Sequence, residues 1–209
     1  MVVVLLTFAF GYNSWAQDTV RVHLGVQFGG APNLYKHYGD RLLSDHGAKR
    51  ISSDESLKAA TSGFYATIPL AQFFSWDKFG LNWTAGHGFI YGKELEFETR
   101  EGELRQERIR GVQTYFEIEP TYEIISRPRF KVIPKAQLGY YLTQIQSDFE
   151  NGFFNEFGYG FGGVVYFNLP FRTDLPMDVG LGFNYSWIGK DRVESYSLKL
   201  KLPIYITAY

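Results

Sequence analysis

A side-chain alternation with a period of two runs through almost the whole chain, and it limits the fold more than any other feature. Val20, Val22, Leu24, Val26 and Phe28 alternate with Arg21, His23, Gly25 and Gln27. Successive side chains of a strand point to opposite faces, so this pattern predicts a strand with one oily face and one small or polar face. The same alternation returns near 64–70, 79–91, 112–124, 130–140, 157–167, 177–187 and 196–206. Eight strands are therefore expected. No run reaches the ~18 consecutive apolar residues that a membrane-crossing helix needs.

The segments between the strands have a rhythm of their own. Long, charged connections are expected at 33–62, 92–108 and 143–155, with Leu95-Glu96-Phe97 in the second as a candidate to prolong its hairpin above the membrane, and short ones at 71–78, 126–128 and 168–176. The connection at 189–193 breaks the rhythm by being short. Long outer loops alternating with short periplasmic turns mark a barrel of the outer membrane, and an even strand count leaves both termini on the periplasmic side. The expected fold is all-β: an eight-stranded antiparallel up-and-down transmembrane β-barrel.

Composition narrows the function classes. Aromatic residues make up 18% of the chain and there are 22 glycines, as in barrels and sandwiches built from short hairpins. A formal charge of −1 argues against nucleic-acid binding through bulk charge. Without cysteine the chain has no disulfide, no thiolate nucleophile and no cysteine-ligated metal. The first ten residues, Met1 to Phe10, are apolar, and Ser14-Trp15-Ala16 has the small-x-small form of a cleavage site before Gln17-Asp18. Residues 1–16 are expected to be a signal peptide and 17–209 the barrel domain. The competing reading of that segment, favoured by its lack of Lys and Arg, is a buried first strand.

Volume decides which face of the strands points inward. An eight-stranded barrel has room inside for little beyond its own side chains. The oily phase carries Trp83, Phe116, Phe161, Phe183 and Trp187 among many others, too large a set to enclose, so these are expected to face lipid. The opposite phase holds Gly158, Gly160 and Gly162, then Gly180, Gly182, Asn184 and Ser186, which suits a narrow polar lumen. Glu117, Glu119 and Glu123 share that phase on the fourth strand, and Lys131 and Lys135 on the fifth. A hairpin turning about Arg127 would set Glu123 directly opposite Lys131 and Glu119 opposite Lys135, as favourable cross-strand pairs. Arg21, Lys199 and Lys201 extend this lumen charge network across the seam between first and last strands. Trp76, Phe79, Tyr91, Trp187 and Tyr205 are candidates for the aromatic girdles.

Three features together resemble the porin-like outer-membrane β-barrel family of Bacteroidetes: the segment ending at Ala16-Gln17-Asp18, the eight alternating strands, and the C-terminal run Leu200-Lys-Leu-Pro-Ile-Tyr-Ile-Thr-Ala-Tyr209. The resemblance implies insertion into the outer membrane by the barrel-assembly machinery, with the terminal aromatic as its signal. It also leaves open a relation to the PorT-like barrels that assist secretion.

Little in the sequence points to chemistry. Barrel-borne lipid A deacylases pair His-x-Ser on one strand, and none of His23, His37, His46 and His87 has Ser two residues later. His87 could meet Ser186 or Asn184 only if the rim brings them within hydrogen-bond reach. Asp40, Asp45, His46 and Asp54 lack the spacing of a metal site. The glycines of Gly158-Tyr-Gly-Phe-Gly-Gly163 share one strand face, which is a packing device and not a phosphate cradle. The expectation is a non-enzymatic structural or interaction barrel that needs no cofactor. Its partners would be outer-membrane lipid, the assembly machinery and possible envelope or secretion proteins. The alternatives are a small-solute pore, a lipid A-modifying enzyme and a soluble barrel with an apolar interior.

Overall fold

The structure, a computed structural model, describes residues 19–34, 49–50, 57–69, 78–99, 101–146, 151–169 and 177–207. Eight long strands account for nearly all of them: β1 (Thr19–Leu34), β2 (Leu57–Pro69), β3 (Phe79–Glu98), β4 (Leu104–Tyr122), β5 (Phe130–Gln146), β6 (Asn151–Leu169), β7 (Met177–Ile188) and β8 (Asp191–Thr207). Each pairs antiparallel with its sequence neighbours, and β1 pairs β8 from Thr19↔Thr207 to Gly30↔Tyr196. The sheet is thus a closed up-and-down barrel whose long strands leave no edge over the spanning region. Two-residue strands at Lys49–Arg50 and Ile125–Ser126 pair with the far end of β3 and the near end of β5.

The strands are longer than the sequence expects. Much of 92–108 is strand, and the prolongation offered by Leu95-Glu96-Phe97 is present: β3 and β4 stay paired through Glu94↔Arg108 and Glu98↔Leu104. Gly102, at φ 80°, turns the tip, where its N–H donates to the Thr99 carbonyl at 3.0 Å. The expected loops 33–62 and 143–155 also give up residues at both ends to β1, β2, β5 and β6. The expected turn 168–176 begins later, because β6 runs to Leu169. Alternation detects a strand only where one face is oily and the other is not. In 92–108 the alternation of Leu95 and Phe97 with Glu94, Glu96 and Glu98 is brief and flanked by charge, so it does not show how far backbone pairing continues. The signal segment 1–16 and the C-terminal Tyr209 lie outside the described residues.

Inward and outward positions alternate cleanly. On β4, Gln113, Tyr115, Glu117, Glu119 and Thr121 are buried while Val112, Phe116, Ile118 and Tyr122 are exposed. Glycine is what makes room inside. Tyr141 lies flat against the wall over Gly139 and Gly158, so a Cβ at Gly158 would come within 2.7 Å of the Tyr141 ring and 2.9 Å of the Trp187 carbonyl. Gly180 stands in the same relation to Tyr166, at 2.7 Å. Gly158→Val is expected to cost about 1–3 kcal/mol in denaturant unfolding of the refolded barrel, the usual penalty for overfilling a packed interior.

Candidate functional site: the lumen and its outer wall

The interior is built in three layers. Nearest the loop end, Ala31, Ala59, Ile90, Ile145, Phe154, Ile188 and Val193 close on one another above Tyr115 and Tyr141 as an apolar plug. Apart from Ile90, midway along the long β3, its aliphatic members lie near the loop-side ends of their strands. Ile145 is 0% exposed. This layer narrows the bore with apolar side chains, beside which the buried Asp191 stands opposite Ile188.

The middle layer is polar and ionic. Glu119 is fully buried and takes three partners: an ion pair with Lys135, a second with Lys199 at 3.5 Å, and a hydrogen bond donated by Asn82 Nδ2 at 3.2 Å. Among the described residues Glu117 has no lysine within ion-pair distance. It accepts hydrogen bonds from Gln137 Nε2 at 2.7 Å and from the Tyr141 hydroxyl at 2.8 Å. Gln137 also accepts from Ser186 at 3.4 Å, tying β7 to β5 over Gly160 of the intervening β6. Gln27 donates to the Tyr115 hydroxyl at 3.1 Å, and Tyr115 donates to the Ser62 carbonyl at 3.3 Å. Lys199 and Lys201 sit over the rings of Tyr65 and Tyr166, at 5.0 and 5.2 Å. Stacked cations of this kind gain from the ring quadrupole, more so where water is excluded.

At the end that carries the chain termini the bore opens. Lys131 pairs with Glu123 at 3.7 Å, both partly exposed. Beside them Ser126, Arg127, Phe130, Tyr166, Asn168 and Asp178 line a cleft of ≈ 340 Å³. Asn168 donates to Asp178 at 3.2 Å within it.

The charged residues singled out from sequence thus fall in three places. Glu117, Glu119, Lys135, Lys199 and Lys201 are inside, Glu123 and Lys131 are at the rim, and the side chain of Arg21 is outside the described residues. The expected register is corrected. Thr121, not Glu119, stands opposite Lys135, and Glu117 stands opposite Gly139. The Glu119–Lys135 contact forms all the same, because a slip of two residues keeps both side chains on their face and turns a direct pair into a diagonal one, while at the turn Lys131 stands opposite Ser126 and still lies 3.7 Å from Glu123. Sequence reasoning missed the four lumen tyrosines, Tyr65, Tyr115, Tyr141 and Tyr166, along with Asn82, Gln113 and Gln137. The signal was present: each tyrosine sits in the small or polar phase of its strand, next to glycines on neighbouring strands.

The outer wall is oily. Phe64, Phe116, Leu138, Phe157, Phe161, Leu181 and Phe183 are all exposed, and Trp83 and Trp187 are half-exposed. Aromatic rings cluster on β6 and β7, where Tyr159 stacks on Trp187 at 5.4 Å and Phe161 lies 5.7 Å from Tyr185. Phe79 and Tyr122 contact each other at the terminal end, 4.8 Å apart, while Tyr91 lies toward the loop end. The side chains of Trp76 and Tyr205 are outside the described residues. A contiguous oily belt of this extent around a closed barrel with a polar interior is the construction of an integral outer-membrane β-barrel.

The catalytic pairing that the sequence offered is not formed. His87 faces outward and its Nδ1 is 3.0 Å from the Thr114 hydroxyl. Ser186 is buried inside the barrel and Asn184 points the same way, so the sheet itself separates them from His87. The loop acids Asp40, Asp45 and Asp54, with His46, lie outside the described residues; among the described residues no cluster of His, Asp and Glu is disposed to hold a metal.

No family model and no curated protein matches the chain. Solved structures do. The chain is similar to Ail, the attachment invasion locus protein of Yersinia pestis, in complex with the heparin analogue sucrose octasulfate, at 9% identity and TM-score 0.48, over 88% of this chain and 99% of that one. It is similar to Neisserial surface protein A at 11% identity and TM-score 0.48, over 90% and 99%. It is also similar to the N-terminal β-barrel domain of Pseudomonas aeruginosa OprF, at 11% identity and TM-score 0.46, over 87% and 97%. These structural neighbours are small outer-membrane barrels.

Proposed function

We propose that this protein is a non-enzymatic scaffold of the outer membrane: a sealed barrel that anchors recognition elements at its two ends and conducts nothing. The observation that carries this reading is the filled bore. The buried apolar plug narrows the bore, and the buried ion triad of Glu119, Lys135 and Lys199 occupies the layer beneath it. A channel needs a continuous wet path with binding weak enough to release the solute. The elements left for partners are the β3–β4 hairpin, which continues beyond the barrel and takes Lys49–Arg50 as an added strand, and the rim around Arg127 and Lys131. Partners of the proposal are outer-membrane lipid, the barrel-assembly machinery during insertion, and envelope or secretion proteins. Kinship with the porin-like Bacteroidetes barrels, PorT-like members included, belongs to the same proposal and rests on the C-terminal pattern.

Planar-bilayer recording tests this reading against the pore. Reconstituted protein is expected to give no discrete openings, and single-channel steps in the unmodified protein would overturn the proposal. The enzymatic alternative has His87 as its candidate base. His87→Ala is expected to leave the lipid A mass profile of expressing cells unchanged, and a changed acylation pattern would restore that alternative.

A further inference from the structure

One feature of the outer wall is out of keeping with an oily belt. Ser62, His87 and Thr114 stand side by side on β2, β3 and β4, in the pairs Ser62↔His87 and His87↔Thr114. All three face outward. Ser62 and His87 are exposed and Thr114 is half-exposed. His87 and Thr114 share a hydrogen bond, and among the described residues the remaining ring nitrogen of His87 has no partner. Polar groups turned toward hydrocarbon carry a desolvation penalty that the single His87–Thr114 bond meets only in part, so the second His87 nitrogen and the Ser62 hydroxyl call for a ligand.

What lies above the row gives the ligand's chemistry. Four residues nearer the loop end, the pairs Lys58↔Tyr91 and Tyr91↔Arg110 put two cations on either side of an aromatic ring, on the same outward face. Lys58, Tyr91 and Arg110 are exposed, and neither cation has an ion-pair partner among the described residues. Four residues along a tilted strand span roughly 10 Å of membrane depth. The head-group layer is about 5–8 Å thick on each side. Cations at the outer edge of that layer therefore leave the Ser62–His87–Thr114 row roughly 2–5 Å inside the hydrocarbon, just below the acyl carbonyls and within side-chain reach of them.

From this arrangement we infer that the β2–β4 wall is a binding site for a phosphorylated acyl lipid of the outer leaflet. Lys58 and Arg110 take the phosphate, and His87, Thr114 and Ser62 hydrogen-bond the acyl carbonyl region. The order of the two rows along the membrane normal matches the order of phosphate and carbonyl in such a lipid. The outward face also has small side chains there, Ala60, Ala66 and Ala85 between the rings of Phe64, Phe89 and Trp83, which leaves a shallow bed for an acyl chain. The inference rests on the membrane-spanning reading above.

Native mass spectrometry of the full detergent-solubilised chain, titrated with diphosphoryl lipid A, tests it. Wild type is expected to retain one lipid A per barrel. The K58Q/R110Q pair is expected to lower occupancy at least tenfold, and H87L/T114V several-fold. K190Q/R192Q, a cation pair at the same end on β7–β8, serves as control and is expected to change nothing. Lipid A stripped of its phosphates should bind no better to wild type than to K58Q/R110Q. Equal retention by wild type and K58Q/R110Q overturns the proposal, since the lipid would then be a non-specific annulus. Full displacement by millimolar inorganic phosphate also overturns it, as would a shift of H87L/T114V between monomer and dimer without change in lipid retention. Heat-modifiable gel migration of each variant shows separately that the barrel has formed, so a failed lipid site is distinguishable from a failed membrane reading.

Discussion

Replacing Glu119 with alanine is expected to destabilise the barrel by about 3–5 kcal/mol, the cost of breaking a buried ion pair by removing one partner. The cause lies in what the substitution leaves behind. Lys135 and Lys199 both direct their ammonium groups at this one carboxylate, and both are buried. Without it, two like charges face each other in a space that no bulk water reaches, and Asn82 loses its acceptor. Lys135→Met is expected to cost less than E119A, because Glu119 would keep Lys199 and Asn82. The triple replacement E119L/K135M/K199M removes every member of the cluster at once and is expected to recover most of the loss, since a well-packed apolar set can equal a buried ion cluster. Tryptophan-fluorescence unfolding in urea, with the barrel reconstituted in short-chain phospholipid vesicles, measures all three. A loss below about 1 kcal/mol for E119A would mean that the triad is open to water.

The second large effect concerns the outer wall. Phe161 sits midway along the outward face of β6, between Phe153 near one end and Phe167 near the other. Phe161→Arg is expected to cost about 2–4 kcal/mol in a bilayer, the penalty for a cation on the lipid face near the midplane. The same change at Phe153, close to the loop end, is expected to cost about 0–1 kcal/mol. This depth dependence is specific to lipid. In a water-soluble barrel the two arginines would be about equally tolerated. Unfolding free energies of the two variants in the same vesicles decide between these outcomes.

How much of this was legible in the sequence depends on the contrast between the two faces of each strand. Where Phe157, Tyr159 and Phe161 alternate with Gly158, Gly160 and Gly162, periodicity identified the strand and its phase, and a steric argument assigned the outward side. At 92–108 the alternation is brief, Leu95 and Phe97 between Glu94, Glu96 and Glu98, so it hinted at a longer β3–β4 hairpin without fixing its extent. Register was legible only to within an even slip. Charge pairing at Glu119 and Lys135 constrains parity and proximity, and the direct and diagonal arrangements satisfy both. The Ser62–His87–Thr114 row was illegible for a different reason. Its members come from three strands separated by long stretches of chain, and only the observed registers bring them together. The same holds for the plug, whose members Ala31, Ile90, Ile145 and Val193 are each ordinary strand residues in isolation. Pairing His87 with Ser186 failed because distance along the barrel rim was considered without parity: an exposed odd position of β3 and a buried even position of β7 lie on opposite sides of one sheet.

The most direct test of the membrane architecture exploits the absence of cysteine. Single cysteines introduced one at a time at residues 157–163 of β6, each carrying a nitroxide, can be read in phospholipid vesicles by their collision rates with oxygen, which partitions into lipid, and with a polar nickel chelate, which does not. Oxygen accessibility is expected to rise at 157, 159 and 161 and to fall at 158, 160 and 162, with low nickel accessibility at every position through the spanning segment. High nickel accessibility at 157, 159 and 161, or oxygen maxima at 158, 160 and 162, would contradict an oily outer wall around a polar interior.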